Sequence, residues 1–254
     1  MAKHGYTTLI CDSQFDEEIE RSNIMSVLSR QPDAVIFFPA TVSPKNFDLF
    51  SGMMNQVIVL DAYNPKSSCH FVDVDYNYGG YLSACELLSK GHRDILVITE
   101  PLDFPISNQY VAGIRKAFLE YHVPFNENLL KFAHASINNG YSTVMSLWDI
   151  QKRVFTEKFT AVMNFDDNLA HGVYKAAAQF GLSIPDDLSI IGFDDNPLSI
   201  FSNPPLTTVY LPKERIANSC IEILHNILLE GKSNTTIYSL SPHLVCRSSV
   251  KQIF

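Results

Sequence analysis

The sequence predicts an α/β protein built on parallel sheets, and two observations carry this prediction. Short apolar runs that fit buried strands, such as residues 34–38 and 188–193, alternate with longer amphipathic stretches that fit helices. The alternation recurs at a spacing of ~25–30 residues, which is typical of strand–helix–strand units with right-handed crossovers. The sequence contains no internal repeat and no low-complexity tract, so a repeat array is not predicted.

Composition and charge narrow the classes of function. The 254 residues, 46% hydrophobic and 18% charged, are enough for one large or two medium domains with their own cores. The formal net charge is -8 and Lys and Arg form no cluster, which argues against a broad contact of these residues with a nucleic-acid backbone. No apolar run approaches the ~20 residues of a membrane span, so we expect a cytoplasmic protein without a membrane partner.

The cysteines and histidines point to neither a disulfide framework nor a metal site. The five cysteines are scattered, odd in number and without a CxxC spacing, which fits a reducing cytoplasm. The histidines show neither an HExxH motif nor a paired metal spacing. We therefore expect no metal and no cofactor.

The elements of the first hundred residues follow from apolar runs and from the breakers between them. Residues 15–30 place Ile19 and Met25 among acidic and polar neighbours, which predicts a surface helix that ends before Pro32. Strands are predicted at residues 7–11, 34–38, 56–60, 70–74 and 94–98, and further helices at residues 44–53 and 78–90, the latter ended by Gly91.

The rest of the chain continues the alternation. Two acids open a predicted helix at residues 166–180, where the helix dipole favours negative charge, and Gly181 ends this helix. Further helices are predicted at residues 106–121 and 139–154, and strands at residues 130–133, 160–163, 188–193 and 207–209.

Residues 186–210 form the stretch with the clearest functional signal. An apolar run that fits a buried strand ends in the paired acids Asp194 and Asp195, and Pro204-Pro205 stiffens the chain before the next strand. In open α/β sheets, ligands bind just beyond the carboxyl ends of the strands. Acidic side chains at that position predict a small-molecule site.

Several stretches, taken in order, carry a resemblance to a known family. The chain resembles the effector-binding domain of the LacI/GalR (lactose-repressor) family of transcriptional regulators, which is similar to periplasmic sugar-binding proteins. The stretches that carry the resemblance are Val72-Asp73-Val74-Asp75, Lys90-Gly91-His92-Arg93-Asp94-Ile95, Phe165-Asp166-Asp167-Asn168, Gly192-Phe193-Asp194-Asp195 and Pro204-Pro205-Leu206-Thr207-Thr208-Val209. The combination of the last two stretches is the specific part of the likeness.

The resemblance implies a periplasmic-binding-protein-like type I fold, with two doubly wound parallel-sheet lobes, three crossings and an effector clasped between the lobes. The N-terminal lobe would comprise residues 1–100 and 213–231, and the C-terminal lobe residues 101–212 and 232–254. The resemblance implies that the family's first strand and helix are not included in this sequence, and residues 1–6 resemble the end of that helix. The helix-turn-helix headpiece is also absent, so operator DNA would be contacted only through a headpiece outside this chain.

The function implied is that of the ligand-sensing and dimerisation core of a transcriptional repressor whose effector is a sugar. The homodimer surface would include the helix at residues 15–30 and residues 47–54. The alternative is a stand-alone sugar-binding receptor of a transport system. Catalysis is not expected, because GxSxG, P-loop and GxGxxG motifs are all missing.

Two acids carry the site prediction, each with a structural alternative. Asp194 matches the family position whose carboxylate accepts hydrogen bonds from effector hydroxyls, and its alternative role is to cap the following loop. Asp166 matches a position that often holds an Asn facing the cleft, although Asp is also an ordinary N-cap at a helix start. Asp167 is interpreted as structural, and Asp195 as a residue that makes loop or interlobe bonds.

Three aromatic residues complete the candidate effector site. Tyr110 replaces an Arg that grips the effector in many relatives, so the substitution removes a fixed charge and favours a neutral sugar over an anion. The alternative is a tyrosine that packs against a neighbouring element. Tyr78 and Phe165 are the remaining candidates, whereas His92 is interpreted as structural.

Overall fold

The computed structural model describes residues 4–14, 16–39, 44–62, 67–232 and 234–253. Its helices are α1 (Glu17–Leu28), α2 (Pro44–Phe47), α3 (Tyr76–Ser89), α4 (Pro105–Glu120), α5 (Ile137–Ser146), α6 (Asp167–Phe180) and α7 (Lys213–Leu228). Its strands are β1 (Val35–Phe37), β2 (Val57–Leu60), β3 (His70–Val74), β4 (Ile95–Thr99), β5 (Leu130–Phe132), β6 (Trp148–Asp149), β7 (Val154–Phe155), β8 (Ala161–Asn164), β9 (Ser189–Asp194), β10 (Thr207–Tyr210), β11 (Ile237–Leu240) and β12 (His243–Val245).

The chain divides into two compact units. The first unit comprises the residues up to Val74 together with Pro212–Leu240, and the second comprises Asp75–Leu211 together with the residues from Ser241 onward. Each unit has its own sheet. Both units are therefore built from chain segments that are far apart in sequence.

The first unit has a four-stranded sheet in the order β1-β2-β3-β11, and all its strand pairs are parallel. Alternate residues of a strand point to opposite faces, and β2 shows this directly. Val57 and Val59 pack with Phe50 and Phe71 on one face, whereas Ile58 packs with α7 on the other. The sheet is thus apolar on both faces, as parallel sheets require.

The second unit has a six-stranded sheet in the order β12-β10-β9-β8-β4-β5, in which only the edge strand β12 is antiparallel. From β4 the chain first adds β5 on one side and then β8, β9 and β10 on the other side. The order of strands reverses between β4 and β8, which makes this the topological switch point of a doubly wound sheet. The predicted α/β class with parallel sheets is confirmed.

The boundary after Val74 differs from the one predicted near residue 100. The physical reason is the close packing of α3 on α4, which glycines permit. A Cβ at Gly80 would lie 2.1 Å from the backbone oxygen of Tyr110, and a Cβ at Gly113 would lie 1.8 Å from the backbone oxygen of Asn77. Helix α3 therefore belongs to the second unit. In contrast, β11 belongs to the first unit and not to the second as predicted, because Ile237 pairs with Phe71.

Two local predictions are corrected. Residues 7–11 form no strand, and Ile10 is 87% exposed. The helix predicted to reach residue 154 ends at Ser146, and an antiparallel hairpin of β6 and β7 follows because the Trp148 ring stacks on Phe180 at 4.0 Å. The interpretation of residues 1–6 as a helix end falls partly on residues 1–3, which lie outside the described residues.

Candidate functional site

The candidate site lies at the carboxyl edge of the sheet in the second unit. Strand β9 ends at Asp194, and β8 ends at Asn164, so that Phe165 and Asp166 follow directly. Because β8 and β9 are neighbouring parallel strands, these residues reach the same edge of the sheet, beside the switch point. Within the described ranges, no group of three His, Cys, Asp or Glu side chains could hold a metal ion.

Asp194 sits on an unusual backbone. Its φ angle is 117°, and that of Asp195 is 48°, so two consecutive residues other than glycine lie in the region of positive φ. Such conformations persist only where surrounding contacts hold them, and they concentrate at binding sites. The side chain of Asp194 is half-buried, and its charge contributes to the raised pKa of Asp166, which follows the neighbouring strand β8.

Asp166 is the N-cap of α6. Its carboxylate accepts a hydrogen bond of 2.6 Å from the backbone N–H of Asn168. Burial raises the pKa of Asp166 above its usual value, and the nearby charge of Asp194 adds to this rise. Asp166 therefore has the N-cap role that was its structural alternative. Its contact with an effector stays a prediction.

Asp195 connects the loop that follows β9 to the C-terminal segment of the chain. Its carboxylate receives a 2.7 Å hydrogen bond from the guanidinium of Arg247, and both side chains are largely buried. Arg247 also donates to the backbone oxygen of Leu206 at 2.8 Å. The ion pair thus ties the loop after β9 to the C-terminal segment of the chain.

Asp167 is fully buried and collects donors from two later parts of the chain. One carboxylate oxygen accepts from the Thr208 hydroxyl at 2.6 Å, and the other accepts from the Ser199 hydroxyl at 2.6 Å and the Asn196 N–H at 2.7 Å. Burial raises the pKa of Asp167 to about 6, although the three hydrogen bonds oppose this shift. The interpretation of Asp167 as structural agrees with this network.

Tyr110 and Phe165 belong to a buried aromatic cluster with Tyr76 and Phe193. The Tyr110 ring lies 5.0 Å from that of Phe165 and 5.3 Å from that of Phe193. Tyr110 has no exposed surface, and its burial raises the pKa of the phenol. This geometry favours the packing alternative for Tyr110 over an open stacking face, and it leaves Phe165 only 8% exposed.

Tyr78 is placed differently. Its ring is 42% exposed and stacks on Tyr81 with a centroid distance of 6.3 Å, and its backbone N–H is capped by Asp75 in the first turn of α3. None of these contacts includes Asp166 or Asp194. The role of Tyr78 in effector binding stays a prediction.

Glu100 and His134 are polar residues of the same edge that sequence reasoning did not select as a pair. Glu100 directly follows β4, and its carboxylate lies 2.6 Å from Nδ1 of His134 and accepts from the N–H of Ala135 at 2.8 Å. The Phe104 ring meets the His134 ring edge-on at 6.4 Å. Its position was the available signal, because Glu100 lies two residues after the strand predicted at residues 94–98.

A doubly wound sheet with acidic and aromatic side chains at its switch point defines the class of ligand-binding α/β domains. Comparison with known proteins then gives the family. The chain belongs to the family of periplasmic binding protein-like domains, whose model matches residues 84–250, about two thirds of the chain.

The relatives are transcriptional regulators. The chain is 26% identical over 252 residues to the HTH-type transcriptional repressor PurR of Vibrio parahaemolyticus, covering 99% of this chain and 74% of the repressor. It is 29% identical over 258 residues to PurR of Actinobacillus pleuropneumoniae serotype 3, with 99% and 74% coverage. The chain is thus homologous to repressors of the LacI family and not to enzymes, as the sequence motifs predicted.

Solved structures of regulators share the fold. A LacI-family sugar-binding transcriptional regulator from Escherichia coli, complexed with phosphate, superposes with a TM-score of 0.82 at 26% identity over 99% of this chain and 89% of that chain. A LacI-family regulator from Enterococcus faecium with bound ribose superposes with a TM-score of 0.83 at 24% identity over 100% and 90% of the two chains. None of the helices in the described residues has the length and apolar character that a membrane crossing needs.

Proposed function

We propose that this chain is the effector-sensing and dimerising core of a LacI-type transcriptional repressor. The observation that carries the proposal is the pair of acids, Asp166 and Asp194, at the carboxyl edge of β8 and β9, with Asp194 on a backbone of positive φ. A carboxylate accepts two or more hydrogen bonds, and sugar hydroxyls supply donors in that arrangement. The homology to transcriptional repressors favours a regulator over a transport receptor.

The chemistry of the edge limits the class of effector. Asp166 and Asp194 bring negative charge to the edge, and the guanidinium of Arg247 is paired with Asp195. An anionic effector would be repelled here, because like charges within a few ångströms disfavour each other. We therefore propose a neutral, polyhydroxylated effector, with Asp194 as the main acceptor of its hydroxyl hydrogens.

The regulatory mechanism would be a shift of a conformational equilibrium. An effector that binds one conformational state of the domain more tightly increases the population of that state. A DNA-binding headpiece outside the residues of this chain would convert that shift into a change in operator affinity. The protein would act in the cytoplasm, where operator DNA is found.

Exposed apolar residues support a homodimer. On α1, Met25 is 55% exposed, which supports the part of the dimer surface that was predicted at residues 15–30. In the segment at residues 47–54, by contrast, Phe50 is buried in the core of its own unit. A second patch lies in the other unit, where Phe201 is 81% exposed beside Leu198 and Ile200. Contiguous exposed apolar residues mark interaction surfaces, and a regulator of this family would cover them with a second copy of itself.

A thermal-shift screen of monosaccharides, disaccharides, nucleobases and phosphosugars tests the effector proposal. We expect a neutral sugar to raise the melting temperature and Asp194→Ala to weaken its binding about tenfold or more, since a charge-assisted hydrogen bond is worth about 1.5–3 kcal/mol. Asp186→Ala, which removes an acid whose side chain is 80% exposed, is the matched control and should bind normally. Affinity of Asp194→Ala within twofold of the wild type would contradict the proposal.

Light scattering coupled to size-exclusion chromatography tests the dimer. The wild type should elute as a dimer at micromolar concentration, and Met25→Lys or Phe201→Lys should shift the mass toward that of a monomer. Leu119→Lys, at another exposed apolar position, is the control and should leave the mass unchanged. A monomeric wild type would refute the proposed dimer without affecting the effector site.

A further inference from the structure

We propose that Asp167 is a positioning residue, whose buried carboxylate holds residues 194–196 in their strained backbone conformation and thereby orients the Asp194 carboxylate for effector binding. This inference rests on the proposed function, because it concerns how the same site is built. Asp167 would not touch the effector. It would act through the chain that carries Asp194.

The contacts of Asp167 reach the second residue of the strained segment and the residue that follows it. The N–H of Asn196, directly after the two residues of positive φ, donates to one carboxylate oxygen at 2.7 Å. The Thr208 hydroxyl donates to the other oxygen at 2.6 Å, and the same hydroxyl oxygen accepts from the N–H of Asp195 at 3.4 Å. Two successive backbone N–H groups are therefore anchored, one directly and one through Thr208.

Strand β9 leaves space for this carboxylate. Gly192 lies two residues before Asp194, and a Cβ at this position would be only 2.1 Å from Oδ1 of Asp167. The glycine is thus required by a close approach and not by its own φ angle. The Asp167 carboxylate occupies the space that a side chain at position 192 would fill, two residues before Asp194.

The strained conformation itself requires such an anchor. Non-glycine residues avoid φ angles as high as the 117° of Asp194, so the segment would relax if its contacts were removed. Asp167 is part of a rigid element, since it occupies the first turn of α6 and is fully buried. Arg247 adds a second attachment through Asp195, but it does not contact Asn196 in the described hydrogen bonds.

The hydrogen bonds of Asp167 also connect segments that are far apart in the sequence. Asp167 follows β8, Gly192 and Asp194 belong to β9, and Thr208 belongs to β10. One buried carboxylate therefore links the start of α6 after β8, the chain that follows β9 and the first half of β10. One of its donors, the N–H of Asn196, belongs to the residue directly after the two residues of positive φ.

Thr208→Val and Thr208→Ser form a matched pair for the test. Valine keeps the volume of threonine and removes the hydroxyl, whereas serine keeps the hydroxyl and removes a methyl group. Positioning by Asp167 predicts that valine is harmful and serine is tolerated. A role in packing alone predicts the reverse order. Ser199→Ala, which removes one hydroxyl from a fully buried position, is a second and milder variant.

Two readouts separate this proposal from the proposed function. The first is hydrogen exchange of the Asp195 and Asn196 amides by NMR in ligand-free protein, which we expect to accelerate about tenfold or more in Thr208→Val and less than about threefold in Thr208→Ser. The second is calorimetric titration with D-ribose, where the dissociation constant should rise about tenfold in Thr208→Val and recover in Thr208→Ser.

The outcomes divide as follows. Faster exchange in Thr208→Val and Ser199→Ala, with Thr208→Ser near the wild type, supports the positioning role. Unchanged exchange of both amides in Thr208→Val overturns it, as does a dissociation constant that is equally raised by valine and serine. If the wild type binds no ribose, the choice of effector fails, and the exchange measurement still decides the role of Asp167.

Discussion

Gly192→Ala is the most direct test of the packing around Asp167. An alanine Cβ at this position would lie 2.1 Å from Oδ1 of Asp167 and 2.9 Å from Cδ2 of Leu206. Ordinary contacts begin at 3.4 Å, so the carboxylate must retreat by about 1 Å or more. It cannot do so without lengthening its 2.6 Å hydrogen bond to Thr208.

The magnitude follows from two contributions. Loss of a hydrogen bond to a buried charged group costs about 1.5–3 kcal/mol. Overpacking of a filled interior adds about 1–3 kcal/mol. We therefore expect Gly192→Ala to lower the free energy of unfolding of the second unit by about 2.5–6 kcal/mol, which corresponds to a fall in melting temperature of about 5–24 °C.

Trp148 makes the assay specific. It is the one tryptophan of the sequence, and it stacks on Phe180 within the second unit, so its fluorescence during urea unfolding reports on that unit. The control is a double-mutant cycle with Asp167→Ala, which removes the clashing oxygen. In that background Gly192→Ala should cost less than about 1 kcal/mol. Equal costs in the two backgrounds, or a cost below about 1 kcal/mol in the wild type, would refute the reasoning.

Two further predictions concern residues away from the site. Burial lowers the pKa of His92. The stability that neutral His92 contributes is therefore present above about pH 6.5 and is lost as the pH falls below that value. The wild type should be more stable than His92→Gln at about pH 7.5, and Trp148 fluorescence should show this difference shrinking by about pH 5.5. An advantage that is constant with pH would contradict this sign. Arg115 pairs with Glu127 at 2.9 Å on the surface. Arg115→Ala should therefore lower the free energy of unfolding in urea by less than about 1 kcal/mol. A larger decrease would indicate that the contact of Arg115 with the Phe125 ring contributes to stability.

Much of the fold follows from hydrophobic pattern alone. Apolar runs predict the five parallel strands of the second unit to within one residue at each end, because a strand buried on both faces reads as a continuous apolar segment. The strand expected at residues 7–11 shows the limit of this reasoning. Its β-branched and apolar residues have the right propensity, but a strand exists only where a partner supplies the hydrogen bonds. Leu9 and Ile10 are instead exposed.

The site was predictable in position but not in contacts. Spacing after the strands placed Asp166 and Asp194 at one sheet edge, since parallel strands share a carboxyl end. Tyr110 could be placed on its helix, but its burial depends on the rings of Phe165 and Phe193, which come from two other segments. The anchors of Asp167 are equally invisible in the sequence, because no local spacing connects it with donors that follow a later strand.

The pairing of β3 with β11 has a consequence for biosynthesis. Phe71 lies beside Ile237, so the sheet of the first unit contains a strand that leaves the ribosome long after the other three. At bacterial and eukaryotic elongation rates the delay is on the order of 10–30 s. During this interval most of the second unit can form its own core, while the edge of β3 that will pair with β11 has no partner strand. A nascent chain stalled before residue 237 should therefore expose the edge of β3 to proteases and chaperones, even if the second unit has already folded.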